Sequence, residues 1–173
     1  MVACPIFFRR LMMYKNPEWS YSAVLYELNV RQFTEEGTLR AAAERLAFLR
    51  SIGVDVIWLM PIYPIGVEGR KGSLGSYYSI RDYKAVSEEF GTGEDLRHFI
   101  TTAKALGMRV LLDWVANHTA RDARWITERP ADWYERDDNG VVCNRITILV
   151  RHSRFNFAAE SFFSCSCEEI GSF

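Results

Sequence analysis

The residues best equipped for chemistry in this chain of 173 residues are Asp113, Asn117 and His118. A carboxylate accepts hydrogen bonds, an amide donates and accepts, and an imidazole does either according to its tautomer. Gathered at one place, they suit a polyhydroxyl ligand or, through the carboxylate and amide oxygens, a hard cation. The residues before them say where they stand. Val110, Leu111 and Leu112 are apolar without interruption, follow closely on Gly107, and give way to polar residues at Asp113. Such a run reads as a strand of a parallel sheet covered by helices on one side. Parallel α/β folds bind their ligands at the carboxyl ends of the strands, where these three residues fall.

The elements that must position this cluster are legible upstream. Val24–Val30 is rich in strand formers and is broken by Thr34-Glu-Glu-Gly37. Leu39, Ala42, Ala43, Leu46 and Leu49 then recur at helical intervals, and Gly53 sits where a helix ends. Val56–Met60 is a second apolar run, stopped by Pro61. A long connection follows, from Pro61 to about Gly91, and a loop of that length in a compact domain is usually functional. Thr92-Gly-Glu-Asp95 resembles a capping box with Asp in place of Glu. Leu96, Phe99, Ile100, Ala103 and Leu106 repeat the helical spacing, and Gly107 repeats the stop.

Residues 23–113 therefore read as strand–helix–strand–helix–strand, with each helix closed by a glycine that leads directly into the next strand. Two architectures fit, an α/β barrel and a doubly wound sheet. Asn29-Val-Arg-Gln-Phe33 lacks the glycine-rich turn that a dinucleotide-binding sheet carries after its first strand, which favours the barrel.

Composition removes other classes. A net charge of −1 gives no electrostatic case for nucleic acid or a membrane surface. Of the four cysteines, Cys165 and Cys167 are too close for the usual zinc spacing, and Cys4 and Cys143 stand apart. Arg9 and Arg10 interrupt the apolar start, so neither a signal peptide nor a membrane span is expected, and the compartment stays open with the cytoplasm as default. Residues 1–21 read as a leader, 22–118 as the patterned domain, 119–140 as the start of a polar excursion, and 141–173 as a tail of neither period.

Asp113-Trp-Val-Ala-Asn-His118 resembles the third-strand motif of the α-amylase family of glycoside hydrolases. Gly75-Ser-Tyr-Tyr-Ser-Ile-Arg-Asp-Tyr83 is similar to that family's segment after the second strand, and Trp58-Leu-Met-Pro61 and Pro130-Ala-Asp-Trp-Tyr134 fit the same pattern. The resemblance spans roughly residues 19–140 and implies a (β/α)8 barrel acting on α-1,4-glucosidic bonds of starch-like glucans with retention.

By that resemblance, His118 hydrogen-bonds a sugar hydroxyl, Tyr78 is the aromatic platform under the same sugar (Tyr77 being the other candidate), and Asp113 orients the site. Asn117 corresponds to a calcium-binding amide, although a strand-end cap is its competing reading, and calcium is the one cofactor implied. Asp82 is expected to fix the long loop, and Glu27 to be a paired interior carboxylate. No Gly-Phe-Arg-x-Asp nucleophile segment occurs, and no glutamate stands in an acid/base context. Such a barrel needs ~250 residues. The expectation is an incomplete TIM-type barrel of three strands and two helices, truncated and inactive alone. Its tail would be what a premature end, frame change or read-through produces. The alternative is a non-catalytic carbohydrate- or partner-binding protein derived from that family.

Overall fold

The computed structural model of the chain describes residues 16–115, 118–130, 133–134 and 136–142. Three strands, β1 (Leu25–Leu28), β2 (Val56–Leu59) and β3 (Arg109–Leu112), lie parallel and side by side in chain order. Leu28, Leu59 and Leu112 stand in one row across the sheet. The next residues, Asn29, Met60 and Asp113, therefore share one rim. Two main-chain bonds extend the ladder onto it: the Met60 amide donates to the Leu28 carbonyl at 3.1 Å, and the Asp113 amide to the Leu59 carbonyl at 3.0 Å.

Side chains alternate along a strand, so each strand offers two faces. Leu28, Ile57, Leu59, Val110 and Leu112 face the helices and join one core. Glu27, Trp58 and Leu111 form a row on the opposite face, and Asp113 has the same parity.

Helix α1 is the single turn Val30–Phe33, so Val30 leaves the strand that its type suggested and buries itself in the core instead. Helices α2 (Leu39–Glu44) and α3 (Leu46–Ser51) are the expected first long helix, interrupted at Arg45. There the backbone tightens, and the Arg45 amide bonds the Ala42 carbonyl at 3.1 Å. The apolar stripe continues through the break: Leu39, Ala42, Ala43, Leu46 and Leu49 are all buried. Helix α4 (Gly93–Ala105) buries Leu96, Phe99 and Ala103, with Ile100 and Leu106 partly buried against the same core. Its first turn carries the expected capping box: the Thr92 hydroxyl accepts from the Asp95 amide, and the Asp95 carboxylate from the Thr92 amide at 2.9 Å. The same carboxylate holds Arg40 of α2 at 2.9 Å, which joins the two helical units at their starts.

The internal repeat is reproduced bond for bond. At the end of α3 the Gly53 amide donates to the Arg50 carbonyl at 3.1 Å, and the Val54 amide to the Leu49 carbonyl at 3.1 Å. At the end of α4 the Gly107 amide donates to Lys104 at 3.0 Å, and the Met108 amide to Ala103 at 2.9 Å. Both are Schellman closures, which require a left-handed residue after the cap. Gly53 and Gly107 have φ of 96° and 73°. Val54 and Met108, the residues that follow, are buried and turn the chain into β2 and β3.

The connection from Pro61 to Gly91 has its own architecture. Ile65 and Ile80 pair antiparallel, with the Gly66 amide on the Ser79 carbonyl and the Arg81 amide on the Pro64 carbonyl, each at 2.8 Å. The Arg70 guanidinium donates to the carbonyls of Ile65 and Gly66, also at 2.8 Å each. Ile62, Ile65, Ile80 and Phe90 are buried. Among the described residues no helix is long and apolar enough to cross a membrane.

Nothing surrounds the Cβ position of Gly107 within 4 Å, so a substitution there tests backbone strain alone. Gly107→Ala is expected to lower unfolding stability by about 1–2 kcal/mol, the cost of holding an L-residue left-handed. Gly107→Asn should lose less, as chemical denaturation of the variants side by side will show.

Candidate functional site

Above the carboxyl rim, two sequence-predicted residues meet. The Tyr78 hydroxyl donates to Asp113 Oδ2 at 3.2 Å, across 35 residues of chain. Tyr78 is 38% exposed, so its ring presents a face to solvent beside a fixed carboxylate. Tyr63 stands deeper in the same neighbourhood. Burial, with the nearby Asp113 charge, pushes its phenol up to about 12. Tyr78 is shifted upward too, by burial, then by the charge and hydrogen bond of Asp113, and then by Glu27. Glu27, on the sheet face away from the helices, is exposed among the described residues and close enough to act on Tyr78 through its charge.

Tyr77, the other platform candidate, faces inward. Its hydroxyl donates to Asn29 Oδ1 at 3.1 Å, its ring stacks near Phe90, and the Arg31 guanidinium lies 4.3 Å over it. Arg31 is fixed in turn by a two-pronged bond to Glu89. A ring so enclosed is unsuited to a ligand, which leaves Tyr78 as the accessible one.

His118 is half-buried, and its carbonyl accepts a bond from the Tyr83 hydroxyl at 2.9 Å. Asn117 lies outside the described residues. Calcium takes six to eight oxygens. Among the described residues no three His, Cys, Asp or Glu side chains come together as a cation site.

The excursion after the third strand closes over the loop that follows the second. Asp82 is buried, caps its own turn through the Lys84 amide at 2.9 Å, and binds Arg124 at 2.8 Å. Asp122 accepts from the Val67 amide at 3.0 Å and pairs with Arg81. Asp122 and Arg124 are thus ties between two loops. Tyr83, which sequence reasoning passed over, stacks on Trp125 of the short helix α5 (Trp125–Glu128), with centroids 4.3 Å apart and planes 15° from parallel. Its place in the aromatic-rich Tyr77–Tyr83 segment was the one available signal.

The arrangement is a parallel sheet backed by helices, with an aromatic ring, a carboxylate and a histidine-bearing segment collected at the strands' carboxyl ends, as in ligand-binding α/β barrels. Comparison with known proteins identifies which. Residues 7–146 match the family model for the alpha amylase catalytic domain, and the chain belongs to the alpha-amylase family. It is 34% identical over 116 residues to an oligo-1,6-glucosidase of Heyndrickxia coagulans, covering 64% of this chain and 20% of that one. It is 37% identical over 122 residues to a trehalose synthase/amylase of Mycobacterium tuberculosis, covering 68% and 19%. The crystal structure of an alpha-amylase from Lactobacillus plantarum superposes with a TM-score of 0.67 at 39% identity, over 72% of this chain and 29% of the other. The chain thus spans about a fifth of the length of these curated relatives. Strand order 1-2-3 is shared by barrels and by half of a doubly wound sheet; the family decides for the barrel, of which these strands form one arc.

The Asp113 charge acts on two phenols, which gives a direct test of the cluster. In Asp113→Asn both Tyr63 and Tyr78 should ionise at lower pH, read by absorbance at 295 nm; unchanged titrations would mean that the carboxylate sits elsewhere. Tyr63 also sets a stability slope. Its folded pKa lies above the ordinary 10. Its contribution is therefore whole below pH 10 and lost as pH rises through about 12. Wild type should lose on the order of 2 kcal/mol more than Tyr63→Phe across that window.

Proposed function

We propose that this chain is the amino-terminal barrel portion of an α-amylase-type glycosidase, and that its rim binds a glucose unit of a starch-like α-glucan. Supporting the reading above all is the Tyr78–Asp113 pair: an exposed ring whose orientation is held by a charge-assisted bond, at the strand end where a family motif falls. A ring fixed in this way stacks on the apolar face of a pyranose at little entropic cost. Asp113 and His118 complement it, as acceptor for sugar hydroxyls and as imidazole hydrogen-bonding partner respectively.

The family reaction, retaining hydrolysis of α-1,4 bonds, uses two carboxyl groups about 5–5.5 Å apart, one attacking the anomeric carbon and the other moving the proton. Neither carboxylate of that pair is assigned in these 173 residues. The Asp113 carboxylate is bonded to a phenol and acts in orientation. The reading is therefore of sugar binding without bond cleavage by this chain alone. The relatives' names include an oligo-1,6-glucosidase and a trehalose synthase. The residues described are those that hold one glucose, and they leave the linkage to elements beyond the arc.

Titration of the ¹⁵N-labelled chain with maltotetraose should give saturable shifts at Tyr78 and Asp113. Tyr78→Ala should weaken binding by about three- to tenfold, the worth of one aromatic contact. Reducing-sugar assays should detect no release. Absence of saturable shifts would overturn the glucan reading, and measurable hydrolysis would overturn the division between binding and cleavage.

A further inference from the structure

We propose that Tyr83 is a positioning residue for His118, transmitting the docking of the loop excursion to the sugar-binding rim; the proposal rests on the glucan-binding reading above. The Tyr83 hydroxyl lies 2.6 Å from the carbonyl oxygen of Val115 and 2.9 Å from that of His118. Its single proton is shared between the two acceptors, so one phenol spans the chain from just past β3 to the histidine. Both acceptors are main-chain atoms, and the span is therefore set by the hydroxyl whatever the intervening side chains are.

The phenol is itself immobilised. Its ring lies flat on Trp125 and packs against Tyr63 at 5.6 Å. Burial, and then the neighbouring Tyr134 and Tyr63, raise its pKa well above the ordinary value, so it keeps the proton it donates. The preceding residues run alongside the excursion: the Ala120 amide bonds the Ile80 carbonyl at 2.8 Å, the Arg124 amide bonds the Arg81 carbonyl at 3.0 Å, and the Arg124 side chain bonds Asp82. These bonds seat the loop against α5, the Trp125 stack fixes the ring, and the hydroxyl sets where His118 begins. Tyr83 touches no sugar in this arrangement; it acts through the histidine.

Tyr83→Phe keeps the ring and its stack and removes only the hydroxyl. The ring resonances of His118 should move, while the Trp125 indole signal stays in place. Maltotetraose binding should weaken about three- to tenfold, the range for one lost hydrogen bond. In a His118→Ala background the same substitution should cause no further loss, because its effect passes through that side chain. Unmoved His118 resonances, or an equal loss in both backgrounds, would overturn the proposal. If wild type does not bind maltotetraose, the glucan reading fails by itself, and the His118 resonances still decide the role of Tyr83. Should Tyr83→Phe not fold, Trp125→Phe loosens the same ring while leaving the hydroxyl, and must shift the same resonances.

Discussion

Burial of one face of β2 is the constraint on which the rest depends. Ile57 and Leu59 are wholly inaccessible to solvent, as are Leu39, Leu46 and Phe99 from the helices packed over them. Each such side chain contributes roughly 1.5–3 kcal/mol through burial. A slip of one residue in β2 would turn Trp58 into the helical layer and expose both aliphatic residues, so the register is strongly specified. With β2 fixed, its ladders to β1 and β3 fix the level of the rim. The position of Asp113 is then a consequence of hydrophobic burial several residues away.

What stands above the rim is held differently. The loop after β2 and the excursion after β3 meet through main-chain bonds, two ion pairs and a stack of aromatic rings. Exposed ion pairs contribute little individually. Here Asp82 is buried and the amides of Ala120 and Arg124 find carbonyl partners across the junction, so the polar groups mainly specify where two loops lie. Aromatic contact supplies much of the apolar cohesion: Trp125 faces Tyr83 on one side and meets the edge of Trp133, with Arg129 lying over both indoles.

Features that depend on local chemistry were legible in the sequence. Gly53 and Gly107 announced their left-handed closures, Thr92 and Asp95 their reciprocal cap, and the periodic Leu, Ala and Phe positions their buried stripes. The break at Arg45 was not legible, because arginine is a good helix former. Val30 has strand propensity but lies one residue beyond the point where the ladder ends, and burial takes it into a helical turn. At the site, spacing and family resemblance singled out Tyr78 and Asp113, which the fold brings together. The resemblance offered Tyr77 as well, and only the Arg31–Glu89 clamp shows which ring is enclosed. Tyr83 and Arg124 act across more than thirty residues, a separation at which no periodicity or cap carries information.

The sheet follows the order of the chain, and that has a bearing on how the molecule is made. Among the described residues β1 pairs with β2 and β2 with β3, so neither of these pairings waits for residues far downstream. β1 and the α2–α3 segment precede β2 in the chain, and β3 follows one βα unit later. Growth of this kind is vectorial, and the edge that each of β1 and β2 turns towards its successor is covered by the next strand to be made.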